Sequence, residues 1–384
     1  MNSLKNQFLL DPTVVFLNHG SFGATPKPVF REYQRWQRDL EKQPVEFLSS
    51  TRRFASLMAN ARAVLGTYLG TNAENLVYTQ NVTISLNIVA RSLDLGSEDE
   101  VLSTDHEYGA IDRIWRFLSK ERGFRYINQR ISTPIESKES FVEEFWQGVS
   151  PRTRVIAISH ITSSTAIIFP IHEIIRRARE AGIITVIDGA HVPGQLPLHL
   201  DSLGADFYGG NLHKWLCAPK GAGFLYARPN VQHLLKPLVV SWGYESEAPS
   251  GSTFIDEQEW WGTRDVAAFL AVPAAIEFHE KHNWETVRHQ CHELARDAQN
   301  RIGQLTGLPP LHPPADDWFG QMFTAPLPPE TDIGTLKARL YDEFRVEVPL
   351  VEWNGNKLIR VSVQGYNTRR DIDQLCRALT SLLN

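Results

Sequence analysis

A chain of 384 residues is long enough for one large core and a smaller second unit. Hydrophobic residues make up 42% and charged residues 22%, the balance of an ordinary soluble globular protein, and a formal net charge of −5 argues against a nucleic-acid partner, which calls for a basic footprint. Three cysteines, Cys217, Cys291 and Cys376, cannot all pair, so no disulfide framework is expected and a reducing cytoplasm is the expected setting. In chain order, Met1 to Gln7 carry no apolar signal-peptide core, and no later apolar run approaches the length of a bilayer span, so neither export nor membrane insertion is expected. From about residue 60 to 230, strand-like and helix-like runs alternate. Leu76–Thr79 precedes an amphipathic stretch from Thr83 to Leu95, and Val101–Ser103 precedes a helical stretch from Ile111 to Arg122. Val155–Ser159 precedes Ile171 to Ala181, which ends at Gly182. Then come an apolar run closed by Asp188, a run from Asp206 to Gly210, and Gly223–Tyr226. This alternation predicts an α/β fold with a mainly parallel sheet covered by helices on both faces. After Ala248–Ser252 the texture changes to a long helical run, Ala267 to Gln304. A proline-rich connector, short strands and a terminal helix from Asp371 to Leu383 complete a second, smaller α+β domain.

Two segments carry chemistry. Asp188 closes the buried run Ile183–Ile187, and Lys214 follows the next strand-like run within Asn211-Leu212-His213-Lys214-Trp215. Singly, they read as a capping carboxylate and a surface lysine. Together, each set against a buried strand and flanked by histidine, they match what pyridoxal 5′-phosphate requires. A lysine amine forms the Schiff base, and a carboxylate keeps the pyridine nitrogen protonated so that the ring accepts electrons.

With these residues the chain resembles the class V aminotransferases among the fold-type-I pyridoxal phosphate enzymes. The motifs Leu17-Asn18-His19-Gly20-Ser21-Phe22-Gly23 and Asp105-His106-Glu107-Tyr108-Gly109-Ala110 are most similar to those of the isopenicillin N epimerase-like branch, which shades into C–S lyases of cysteine derivatives. The resemblance runs from Phe16 to Thr368. It implies an N-terminal arm over the site (residues 1–20), a large cofactor-binding domain (21–250) and a small C-terminal domain (251–384).

The resemblance also implies roles. Thr83, at a strand-to-helix junction where backbone amides favour an anion, would hold the cofactor phosphate with Asn211 and His213. Thr263, within Trp260-Trp261-Gly262-Thr263, resembles a segment that a neighbouring subunit contributes, which implies a homodimer with shared sites. Tyr108 would stack on the pyridine, with His106 as the fallback. Ser163, where many relatives use Asn, and His191 would lie near the phenolic oxygen. Arg360 would bind the substrate carboxylate, for which its planar fork is suited, and Asn18 and His19 would fold back over the site to meet the amino-acid substrate.

Lys214, as free amine, would move the α-proton. Epimerisation, β-elimination and transamination all remain compatible with that. Cysteine desulfurases of the family carry a nucleophilic cysteine shortly before the carboxylate-binding arginine. Here the stretch Arg345 to Lys357 has none, so persulfide chemistry is not expected. An epimerase-like activity is the first expectation; a lyase, which Lys214 alone could serve, is the second. No metal is expected.

Overall fold

The structure, a computed structural model, describes residues 4–383; Met1–Ser3 and Asn384, the outermost residues of the expected arm and small domain, lie outside them. Seven strands build the main sheet: β1 (Leu76–Thr79), β2 (Glu100–Thr104), β3 (Arg125–Gln129), β4 (Thr153–Ser159), β5 (Ile184–Gly189), β6 (Phe207–Asn211) and β7 (Gly223–Ala227). Their order is β1-β7-β6-β5-β4-β2-β3, and only β7 runs against its neighbours. The mainly parallel sheet with helices on both faces is therefore as expected.

Strand periodicity explains the two covered faces. Side chains alternate across a strand, and here both sets are apolar. Ile156, Ile158, Ile187 and Tyr208 point into one core, while Val155, Ala157, Val186 and Phe207 point into a second core. Helix α1 (Lys27–Lys42), which the alternating pattern does not include, and helix α2 (Arg53–Leu69) pack on the first side. Helices α3 (Val82–Ser92) and α4 (Gly109–Arg122) cover the second. Helix α5 (Ile171–Glu180) buries Ile171, Ile174, Ile175 and Ala178, the i, i+3, i+4, i+7 stripe of an amphipathic helix, against the first core.

The expected single helical run from Ala267 to Gln304 is broken. It forms a short turn of helix (Ala267–Leu270), then α6 (Val272–Lys281) and α7 (Trp284–Thr306). Pro273 lies in the first turn of α6, where its missing N–H costs nothing, and Asn283 takes a left-handed conformation (φ 47°) that ends the run before α7. Packing also moves the expected boundary at 251. Phe254 and Ile255 belong to the second core, and residues 266–284 supply side chains to the first. A third core begins at Cys291, includes Val15 and Leu17 of the arm, and closes over β8 (Met322–Pro326), β9 (Leu350–Trp353), β10 (Asn356–Ser362) and the terminal helix α8 (Arg369–Leu383). The three strands form a small antiparallel sheet in the order β9-β10-β8.

Candidate active site

Parallel strands leave their carboxyl ends along one edge, where crevices form. A cavity of about 340 Å³ lies at that edge, lined among others by Ser21, Phe22, Gln80, Asn81, Thr83, Tyr108, Ser163, Asp188, His191, Asn211, His213 and Lys214. Eight of the twelve residues expected in the site thus meet in one place. The register accounts for it: Ser159 at the end of β4 pairs with Asp188 in β5, and Asp188 pairs with Gly209 in β6.

The anion end is built at the start of α3. Asn81 caps the helix by accepting from the Ile84 amide at 3.1 Å. Asn211 accepts from the Val82 amide at 2.9 Å, tying β6 to the helix. Between those amides Thr83 lines the cavity, and the Gln80 Oε1 beside it is buried with no partner among the described residues. His213 is fixed by Nδ1 on the Ala222 carbonyl, and burial lowers its pKa to about 4, so the ring is neutral.

Asp188 accepts from the Ala190 amide at 2.8 Å, and burial raises its pKa. Trp215 Nε1 donates to His191 Nδ1 at 3.2 Å, so the neutral imidazole carries its proton on Nε2, which lies 3.2 Å from Lys214 Nζ. The lysine is thereby met as a hydrogen-bond acceptor, the role of a free amine. Burial first, then the Arg360 charge, lower Lys214 to about 7, with Asp188 opposing. The groups fit an anion at α3 and a cationic ring nitrogen at Asp188.

Arg360, in β10, reaches across from the small sheet. Its Nη1 donates to Ser163 at the carbonyl (2.7 Å) and Oγ (3.1 Å), its Nη2 to Ser21 Oγ (2.9 Å), and its buried Nε has no partner among the described residues. Ser21 in turn donates to Asn18 Oδ1, and Asn18 Nδ2 donates to Glu347. Asn18 is thus a brace behind Ser21. His19 also departs from the expected substrate contact. It is fully buried, with Nδ1 against the Tyr366 hydroxyl and Nε2 against the Lys214 carbonyl, both at 2.9 Å, so it supports the lysine backbone from below. Gly23 (φ 71°) makes this approach possible, since a Cβ there would lie 2.0 Å from the His213 carbonyl oxygen.

Tyr108 lines the cavity, whereas His106 is buried behind it, bonded to Thr165 and packed on Trp353 at 4.3 Å, which removes the fallback. Thr263 is exposed and stands outside the cavity of its own chain. The sequence reading missed Glu107. Its carboxyl accepts from Thr104 Oγ1 (2.7 Å) and Ser159 Oγ (2.6 Å), and burial raises its pKa to about 7, with Asp188 adding to the effect. Only its place between His106 and Tyr108 in the motif could have drawn attention to it. Cys217 is buried, and burial pushes its thiol well up, away from the reactive thiolate.

The family model for class V aminotransferases matches residues 15–322. The chain belongs to the class V aminotransferase family. Within reach of this family member, isopenicillin N epimerase of Amycolatopsis lactamdurans is 37% identical over 98% of the chain and 97% of its own length. Putative L-cysteine desulfhydrase 2 of Oryza sativa subsp. japonica is 28% identical over 97% of the chain and 85% of its own. Among solved structures, the cysteine desulfurase CsdA of Escherichia coli superposes with a TM-score of 0.82 at 20% identity, covering 99% of this class V chain and 97% of that one; the likeness is one of fold.

Proposed function

We propose that the protein is an isopenicillin N epimerase-like enzyme that inverts the α-carbon of an amino acid or amino-acid derivative, with pyridoxal 5′-phosphate as cofactor. When bound, that cofactor supplies the electron sink that weakens bonds at the α-carbon. The carrying observation is Lys214, a buried amine shifted to about 7 and therefore a competent base near neutral pH, in a cavity without a nucleophilic sulfur.

Each remaining role follows from position. Thr83, Asn81 and His213 would hold the phosphate, and Asn211 braces the helix end that does so. Asp188 would pair with the ring nitrogen, Tyr108 would lie flat on the ring, and Ser163 and His191 would meet its phenolic oxygen. Arg360 would take the substrate carboxylate, its fork pre-set by Ser163 and Ser21. The arm and the two domains would meet around this site, the arm through Asn18 and His19.

A homodimer with shared sites is part of the reading. Thr263 would reach the partner's phosphate, and the exposure of Val240 (69%) and Trp242 (75%) supports an apolar surface covered in the assembly. No helix of the described residues is long and apolar enough to cross a membrane. Three free thiols support a cytoplasmic setting.

The similarity to a cysteine desulfhydrase supports a second reading, β-elimination from a cysteine derivative, for which Lys214 alone suffices. The reconstituted enzyme should convert isopenicillin N, or another L-amino acid of a test panel, to its epimer without releasing keto acid. Pyruvate, ammonia and thiol from cysteine or its conjugates, with no epimer from any substrate, would replace the epimerase reading by the lyase.

A further inference from the structure

Inversion needs a proton to leave one face of the α-carbon and another to arrive at the opposite face. Lys214 serves one face. The other ionisable side chains lining the cavity are Tyr108, Asp188, His191 and His213. Asp188 is the partner expected for the ring nitrogen and sits at the strand end, bonded to the Ala190 amide. His191 stands on the lysine's own side, 3.2 Å from its Nζ. His213 is tied to the Ala222 carbonyl at the anion end. Tyr108 is the one left.

Its placement suits the second face. Tyr108 follows β2 and caps the start of α4, whereas Lys214 follows β6, and β4 and β5 lie between them in the sheet. Three strand spacings separate the two strands, about 14 Å, so the two loops reach the cavity from different sides, and Ser159 and Asp188, which also line it, lie at or near the ends of the strands between. The Tyr108 hydroxyl makes no hydrogen bond within the described chain, and 46% of the residue is exposed. It lies within electrostatic range of Arg360, the group that would fix the substrate carboxylate.

We propose that Tyr108 is the second acid–base residue of the enzyme, giving its phenolic proton to the α-carbon on the face opposite the one that Lys214 deprotonates. The proposal rests on the epimerase reading. In the L-to-D direction the Lys214 amine takes the α-proton and becomes an ammonium. The electron pair of the broken C–H bond then bonds the proton from Tyr108, which is left as phenolate. One C–H bond breaks and one forms. Water restores both groups, taking a proton from Lys214 and giving one to Tyr108, whose exposure opens the path. In the D-to-L direction the phenolate takes the proton and the ammonium returns one.

Tyr108→Phe tests this, because it removes the hydroxyl and keeps the flat ring. The holoenzyme would be incubated in deuterium oxide with each enantiomer of a substrate that the wild type inverts, and α-deuterium followed by NMR. Inversion should fall by about 10²–10⁴-fold, the usual worth of a positioned acid or base. Deuterium should still enter the recovered L-isomer at near the wild-type rate, and should no longer enter the D-isomer. Cofactor affinity, read by absorbance titration of the apoprotein, should be unchanged. Structural damage would slow exchange in both enantiomers alike, and that result would overturn the proposal, as would inversion at the wild-type rate. A wild-type enzyme that inverts no substrate would instead remove the epimerase reading on which the proposal stands.

Discussion

The two sheets contribute to the site in opposite ways. The parallel sheet gathers groups collectively: Ser159, Asp188 and Asn211 sit at or near the carboxyl ends of three adjacent strands, and the residues after those ends, Lys214 among them, fall into the same crevice. The antiparallel sheet contributes Arg360 from within β10, and its fork is held by Ser163 and Ser21, which belong to other elements. Burial tunes the first set, lowering Lys214 to about 7 and raising Asp188, whereas Arg360 stays charged even though burial lowers it to about 10. On the proposed function, chemistry would be concentrated where strands end and recognition would be supplied from outside.

The largest effect should follow from the parallel sheet. Lys214→Ala should lower turnover by about 10²–10⁴-fold or more, since base catalysis and covalent attachment go together. Borohydride reduction followed by peptide mass spectrometry should find the cofactor fixed at Lys214 in the wild type and at no lysine in the variant. A reduced adduct at Lys220 in the variant would break the assignment.

A smaller and different effect should follow from the antiparallel sheet. Arg360→Lys keeps the charge and loses the planar fork, so the damage should appear as a rise in KM of roughly tenfold, the worth of about 1.5 kcal/mol of charge-assisted hydrogen bonding. An equal fall in kcat with unchanged KM would show that the arginine serves the chemical step, and the contrast between the sheets would dissolve.

The smallest effect concerns Glu107. Its folded pKa of about 7 lies above the ordinary carboxyl value of 4.5. The stability it contributes is therefore fully present below about pH 4.5 and is lost as pH rises to about 7. Glu107→Gln should flatten that decline, measured as the difference in urea midpoint between pH 5 and pH 7.5. An undiminished difference in the variant would show that another group is responsible.

The parallel sheet and most of the residues that line its cavity are legible in the sequence, because strand ends and the loops after them can be located from apolar runs. Asp188 and Lys214 needed only their neighbours, and Thr83 and Tyr108 only their junctions. Contacts between distant segments were hidden. Nothing local says that Glu107 turns back to Ser159, 52 positions away, or that His19 lies beneath a lysine 195 positions on. The helical run after Ala267 read as continuous because its apolar periodicity persists through the turns at Ala271 and Asn283, and periodicity alone does not register a change of direction. The change of composition falls at Ala248–Ser252, whereas packing continues the first core through Trp284.

The pairing of Val15 and Phe16 with Val346 and Glu347 has a bearing on how the protein is made. A ribosome releases the arm long before its partner strand, so a nascent chain carrying Asp188, Lys214 and the whole parallel sheet still lacks Arg360, Gln364 and Tyr366. During synthesis the lysine loop has no support from a seated His19, whose ring is held at Tyr366. A completed active site is therefore a property of the finished polypeptide. A messenger cut short before the last strand of the small sheet yields a chain that keeps Lys214 and lacks both Arg360 and the Tyr366 hydroxyl against which His19 rests.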